Sequence, residues 1–335
     1  MKKPEKLKKN LEKEIAVLPP SLRKEFETMI KRLKKYGLKD KEIIQEIKAR
    51  KREIKKIKYS DKRFDLANKD YLIYRLFSLI GKIIRKNNFK PEEFKKIGRL
   101  FFDLNGLKAI NDLFSHQTGD KFLKRIALTL KKGETTQWLR QKMKIKTLIS
   151  SEGGDEFGVL LVDKKPIDRI VKIRKNNKTK KVALIDLILD KYKKEVEKID
   201  FSDIIDFQKK EIKDKIKNFL PPKGFKFKAI LSGGRCTLYQ AWEKAEKNIN
   251  FEKDSPLTIV KKIASYFFDL SDNEAKKDKK KLKKKISQSA NPELKFLAII
   301  YQRNRENWEL EAENQKLKEK ISSYQKIVSR IKNHK

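Results

Sequence analysis

Residues 97–112 read IGRLFFDLNGLKAIND, and residues 150–162 read SSEGGDEFGVLLV. In the first stretch the largely apolar run from Ile97 to Leu104 reads as a buried strand, because apolar residues that do not alternate suit a strand covered on both faces. It closes on Asp103, a carboxylate whose burial is costly without a partner. A helix is expected from about Lys108 to Leu130. In the second stretch, Lys146–Ser150 and Phe157–Val162 are short β-like runs flanking Glu152-Gly153-Gly154-Asp155, which says β-hairpin. A hairpin lying beside the first strand makes Asp103 and Asp155 converge. Hard oxygen ligands at a strand end suit Mg²⁺ holding a triphosphate, in the manner of two-metal nucleotidyl transfer. The glycines let a nucleotide approach the backbone closely.

Outward from this centre, Leu72, Leu76, Leu79, Ile80 and Ile83 form the apolar face of a preceding helix, and Pro221-Pro222 and Gly224 introduce a further strand, Phe225–Leu231. The expected order is β-α-β-β-α-β with extra helices, an α+β sandwich whose antiparallel sheet is of ferredoxin-like or palm type. Residues 1–58 read as a basic helical arm: Leu22, Phe26, Met29, Ile30 and Leu33, then Ile43, Ile44, Ile47, Ile54 and Ile57, fall at helical spacing. The central domain spans 59–285, with a long, charged, mostly helical insertion over about 164–222. Lys276–Lys285 holds eight lysines in ten positions and reads as a linker or exposed helix end. In the tail, 291–335, Leu310, Leu317, Tyr324 and Ile331 recur every seven residues, a coiled-coil-like helix.

Composition removes several classes of function. One cysteine, Cys236, excludes an internal disulfide framework, and His116 and His334 as the only histidines leave little for a Cys/His zinc site or a His-based triad. No apolar run approaches the roughly 20 residues of a membrane span, so a cytoplasmic protein without a membrane partner is expected. The net charge of +41 comes from 87 basic and 46 acidic residues, and 71 of the basic ones are lysine. Arginine is the better bidentate reader of phosphate, so this excess fits a lysine-rich background as well as a polyanion partner.

The pentapeptide Gly153-Gly154-Asp155-Glu156-Phe157 resembles the signature of the GGDEF domain, the catalytic module of diguanylate cyclases. Upstream, Asp103, Lys108, Ile110, Asn111, Asp112, His116, Gly119 and Asp120 resemble the family pattern D-x-D-x-F-K-x-I-N-D-x-x-G-H-x-x-G-D. Asp61, Leu66, Asn68 and Lys69 resemble its opening, D-x-L-T-G-L-x-N-R. The resemblance implies that Asp103, Asp155 and the Leu104 carbonyl hold two Mg²⁺ or Mn²⁺ ions, with Glu156 beside the attacking 3′-hydroxyl as metal ligand or proton acceptor. It implies guanine reading by Asn111 and Asp120, a floor of Gly153 and Gly154, and two GTP-loaded domains that meet face to face as a homodimer to make cyclic di-GMP.

The sequence also departs from the pattern. The family's late Lys and Arg, which grip the triphosphate, fit Ala275-Lys276 and Lys280 best, although Thr237-Leu238-Tyr239-Gln240-Ala241 competes for the same motif. Ser151-Glu152 stands where Arg-Tyr is usual, and Lys144 and Thr147 occupy the product-inhibition positions R-x-x-D. The leading expectation is an active diguanylate cyclase, a nucleotidyltransferase. The alternatives are a catalytically inactive module binding GTP or a cyclic dinucleotide, and a basic nucleic-acid-binding protein with a palm-like core. For the first of these readings, only weak, nonspecific nucleic-acid binding through the basic surface is expected.

Overall fold

In the computed structural model the described residues are 20–39, 41–47, 60–85, 89–175, 178–201, 203–204, 210 and 228–289. The chain divides into two compact units, 1–60 and 61–335. In the first, helix α1 (Pro20–Lys35) and a helical segment at 41–47 bury Ile30, Ile43 and Ile47 together. These are positions that the helical spacing singles out. The expected coiled-coil-like tail, 291–335, lies outside the described residues.

The second unit is built on a six-stranded sheet. Strands β1 (Ser60–Asp61) and β2 (Leu66–Asn68) lead into helix α2 (Lys69–Ile84), whose start is capped by Asn68 accepting from the Tyr71 N–H. A 3₁₀ turn at Pro91–Lys96 delivers the chain into β3 (Ile97–Leu104). Helices α3 (Leu107–Leu113) and α4 (His116–Lys132) follow, then the hairpin of β4 (Lys146–Ser151) and β5 (Glu156–Val162). A separate two-stranded ribbon, β6 (Ile170–Lys175) with β7 (Lys178–Ala183), precedes helix α5 (Leu184–Glu197). Strand β8 (Leu231–Thr237) and helices α6 (Leu238–Glu246) and α7 (Pro256–Ser287) complete the described residues.

The strand order is β1-β2-β4-β5-β3-β8. β3 is antiparallel to both β5 and β8, β4 is antiparallel to β5, and β2 is parallel to β4. β8-β3-β5-β4 with its crossing helices is the ferredoxin-like core, and the fold is the expected α+β sandwich. Both faces of the sheet are covered. Leu100, Phe102 and Leu104 of β3 join Phe157, Val159 and Leu161 of β5 in one core, while Ile97 and Leu160 join Cys236 and α6–α7 residues in the other. This double burial is the reason the Ile97–Leu104 run does not alternate. Among the described residues no helix is long and apolar enough to cross a membrane.

Three local expectations are corrected. The single helix from Lys108 to Leu130 is two, because the chain breaks at Phe114-Ser115 and the Ser115 hydroxyl caps α4 by accepting from the Thr118 N–H. Of the strand expected at Phe225–Leu231, residues 225–227 lie outside the described residues, 228–230 are not in a strand, and the strand found is Leu231–Thr237. Its glycines obscured it, and the packing requires them: a Cβ on Gly234 would stand 1.8 Å from the Ser271 carbonyl oxygen, so α7 rests on bare backbone. The stretch from about 164 is not helical at its start, where Val171 and Ile173 alternate with basic residues in β6 and pair across to β7. Of the two readings of Lys276–Lys285, the exposed helix end is the one found: these residues lie in the last turns of α7.

Candidate active site

The site is assembled by strand register. Asp103, at the end of β3, pairs directly with Glu156, the first residue of β5. The Leu104 N–H donates to the Asp155 carbonyl at 3.0 Å and draws the glycine turn over the strand end. Asp103, Asp155 and Glu156 thereby form one acidic cluster. Burial pushes the Asp155 carboxyl above its ordinary range and the negative charge of Asp103 pushes it further, with Lys279 opposing. Burial also raises Glu156, reinforced by Asp155 and opposed by Lys69. Mutually repelling carboxylates at a solvent-facing turn, with open space around Gly154, make a place where a cation is favourable.

A cation from the protein already approaches. The Lys279 ammonium, projecting from α7, donates to Asp103 Oδ1 at 2.6 Å. Lys276 and Lys280, the residues the sequence pattern favoured, are exposed, whereas Lys279 is half-buried. The distinguishing signal is helical phase. Ser271, Ala275 and Asp278 mark the face of α7 that meets β8, and Lys279 is eight residues from Ser271, whereas Lys276 and Lys280 are each one step of about 100° off that face. Asp278 belongs to the same seam, accepting from the Gly233 N–H at 2.9 Å and pairing with Lys193 at 2.7 Å.

On the opposite flank, α3 and α4 bring Asn111 beside Gly119 and Asp120. A Cβ at Gly119 would lie 1.9 Å from Asn111 Oδ1, so glycine is needed for this approach. Asn111 Oδ1 is buried and has no hydrogen-bond partner among the described residues, an acceptor awaiting a donor. Asp120 is exposed, and its negative charge reaches the Arg63 guanidinium. Lys108 is exposed on the first turn of α3, and His116 is exposed at the start of α4. Next to the glycine turn is a cleft of about 250 Å³ lined by Asp61, Arg63, Asn68, Lys69, Ser151 and Gly153.

Sequence reasoning passed over the buried support of the turn. Arg99 of β3 pairs with Glu152 at 2.5 Å and with Asp272 of α7 at 2.7 Å. Arginine in an apolar run and glutamate in the place of tyrosine were visible separately, but nothing local shows that they meet.

As a metal site the cluster is open. Among the described residues no group of three or more His, Cys, Asp and Glu side chains is arranged to hold a metal ion. An open pair of carboxylates fits Mg²⁺ or Mn²⁺, which retain waters and take phosphate oxygens from a substrate.

A palm-type sheet with acids at the end of an interior strand and on a glycine hairpin is the arrangement expected of the family that the sequence resembles. Residues 59–184 match the family model described as diguanylate cyclase, GGDEF domain, so the chain carries a GGDEF domain. The bifunctional diguanylate cyclase/cyclic di-GMP phosphodiesterase MucR of Pseudomonas aeruginosa is 30% identical over 117 residues, covering 35% of this chain and 15% of that protein. An uncharacterised membrane protein of Staphylococcus saprophyticus is 33% identical over 82 residues, 24% of this chain and 20% of its own. The chain thus spans a fifth or less of the length of either relative. Among solved structures, diguanylate cyclase SiaD of Pseudomonas aeruginosa in complex with its activator SiaC is similar at 16% identity, with coverage of 75% and 72% and a TM-score of 0.38. The coiled coil and GGDEF domain of DgcB from Caulobacter crescentus, in complex with c-di-GMP, is similar at 12% identity, with coverage of 72% and 93% and a TM-score of 0.37.

Proposed function

We propose that the protein is a diguanylate cyclase that condenses two molecules of GTP into cyclic di-GMP. The observation that carries this reading is the Asp103–Asp155–Glu156 cluster at the end of β3, with Lys279 set against it. Asp103 and Asp155, with the Leu104 carbonyl, would hold Mg²⁺ or Mn²⁺, and such ions supply charge stabilisation at the reacting phosphate. Asn111 and Asp120 bind and orient guanine, since an acceptor pair matches its N1–H and N2–H. Gly154 leaves room for the nucleotide at the turn, and Glu156, whose carboxyl is raised by burial and by Asp155, receives or relays the proton of the 3′-hydroxyl.

The ring needs two substrates. Each 3′-oxygen bonds to the α-phosphorus of the other GTP while pyrophosphate leaves, so two domains of a homodimer present their sites to one another. The domain spans 59–285, between the basic helical arm at 1–58 and the tail at 291–335. Feedback through the R-x-x-D positions is absent from this scheme: Lys144 and Thr147 stand there, and the Thr147 hydroxyl already accepts from Arg140 Nε at 2.8 Å. The protein acts in the cytoplasm, and its excess of lysine gives no more than weak, sequence-blind attraction to nucleic acid.

Incubation with GTP and Mg²⁺, with products identified by mass spectrometry, tests the reading. Cyclic di-GMP and pyrophosphate are expected from the parent protein. Asp155→Asn, which removes the charge a divalent ion needs and keeps the side-chain shape, should lose at least a hundredfold in turnover with an unchanged circular dichroism spectrum. GTP binding without any product would assign the inactive, GTP-binding module instead.

A further inference from the structure

The loop between β1 and β2 places an arginine, Arg63, where the family's opening D-x-L-T-G-L-x-N-R carries leucine. Its head group is fixed on two sides. Arg63 Nε donates to Asp61 Oδ1 at 3.1 Å and Nη2 donates to Oδ2 at 2.8 Å, while the Arg63 backbone N–H donates to Oδ1 at 3.0 Å. The Phe64 ring lies 4.9 Å from the guanidinium carbon, and Phe64 packs in turn on Phe157 of β5, 5.8 Å between ring centroids. The loop is also tied to α4, because Lys131 donates to the Asp65 carbonyl at 2.5 Å and to its carboxylate at 2.6 Å.

These contacts leave one edge of the fork free. A guanidinium has five N–H donors in a plane, and Asp61 takes one from Nε and one from Nη2. The outer edge, Nη1 with the second Nη2 hydrogen, is a parallel donor pair on a side chain that remains 57% exposed. It lines the cleft beside Gly153 and also feels the negative charge of Asp120, so it stands between the glycine turn and the residue that reads guanine in the proposed function.

We propose that Arg63 is a second base-reading residue, donating its free edge to O6 and N7 of guanine while Asp120 and Asn111 engage N1–H and the 2-amino group. The inference rests on the guanine-reading role of Asp120 and adds a separate discrimination. Guanine offers two acceptors at O6 and N7, whereas adenine puts a 6-amino donor against a head group that can only donate. Asp61 is the positioning residue, because it holds the guanidinium plane while leaving its outer edge to the base.

The test is equilibrium binding to the full-length protein by calorimetry, with Ca²⁺ in place of Mg²⁺ to hold back turnover, using GTP, 7-deaza-GTP and ITP. 7-Deaza-GTP lacks the N7 acceptor and reports on Arg63; ITP lacks the 2-amino group and reports on Asp120. The parent protein should bind GTP about tenfold to a hundredfold more tightly than 7-deaza-GTP, the range of one charged hydrogen bond. Arg63→Ala and Arg63→Lys should both bind the two nucleotides equally, lysine having charge but no fork, and both should keep the GTP-over-ITP preference and the parent melting temperature. Equal binding of GTP and 7-deaza-GTP by the parent overturns the assignment of Arg63. If that occurs while GTP still beats ITP, guanine reading by Asp120 survives it. Loss of both preferences overturns the two together. Arg63→Ala weakening GTP and 7-deaza-GTP by the same factor would make Arg63 a phosphate or ribose contact and equally overturn the proposal.

Discussion

Arg99 sits in an interior strand of the sheet with its side chain 1% exposed, the one buried arginine among the described residues. Its guanidinium is held there by Glu152 at 2.5 Å, Asp272 at 2.7 Å, the Phe268 carbonyl at 3.2 Å and the Ser271 hydroxyl. The rings of Phe268 and Phe101 flank it at 4.4 and 4.9 Å. Burial nevertheless leaves the Glu152 carboxyl above its ordinary range, with Arg99 opposing the rise and Asp272 adding to it. The pair therefore offsets its own desolvation incompletely, and its value is geometric: it joins the residue before the glycine turn to the helix that carries Lys279. Arg99→Met should destabilise the fold by about 3–5 kcal/mol, because Glu152 is left buried without its cation, and Arg99→Met with Glu152→Leu should recover most of that loss. A carboxyl with a raised folded-state pKa binds protons more readily folded than unfolded, so acid relieves the defect. The gap between Arg99→Met and the parent should accordingly narrow from pH 7 to pH 5 in urea titrations. A gap independent of pH would mean that Glu152 finds another partner.

At the scale of elements, legibility followed periodicity. β3 and the β4–β5 hairpin could be read because a buried run and a glycine turn are local signals, and they carry Asp103, Asp155 and Glu156. β8 could not, since Gly233-Gly234 looks like loop until α7 is laid across it. The β6–β7 ribbon was hidden by its lysines, whose long side chains suit an exposed strand face and a helix alike. The same lysine density hid the phase of α7. Its packed face is large and apolar through Ile263 and Phe267, but beyond them Ser271, Ala275 and Asp278 are small or charged, so the apolar pattern stops short of the lysines and only its extrapolated phase marks the one that turns inward. Lys279→Met should raise KM for GTP or lower turnover by tenfold to a hundredfold, the weight of one charged hydrogen bond, whereas Lys276→Met and Lys280→Met should stay within about twofold. Steady-state kinetics on the three variants checks this. The reverse ranking would assign the phosphate-gripping role to Lys276 or Lys280, as the resemblance implies.

Across the whole second unit, the sheet separates two cores, and each contains one ionisable group that burial keeps neutral. Tyr192 lies in the core with Phe102, its ring centroid 5.8 Å away, and burial pushes its hydroxyl up to about 12 from 10.0, although Thr136 accepts or donates a hydrogen bond there. Cys236 lies in the other core, and burial pushes its thiol up to about 12 from 9.0. The division into two cores depends on both faces of β3 being covered. Because each folded-state pKa is raised, the neutral forms contribute stability that is complete below the unfolded-state values and is lost as pH climbs through them toward 12. Between pH 9 and 10 only the thiol contributes, at on the order of 1.4 kcal/mol per pH unit; above pH 10 the phenol adds a similar slope. Titration of the many lysines opposes this by relieving repulsion, so the measurement belongs in 1 M salt, where the screening length is about 3 Å. Urea midpoints there should fall from pH 9 onward in the parent protein but only from about pH 10 in Cys236→Ala. Thiol exposure to an aromatic disulfide reagent and tyrosine fluorescence should report the same midpoint, since one sheet supports both cores and cannot release one alone. Separate midpoints would show two cores that unfold independently, and an unchanged onset in Cys236→Ala would remove the thiol from the alkaline loss.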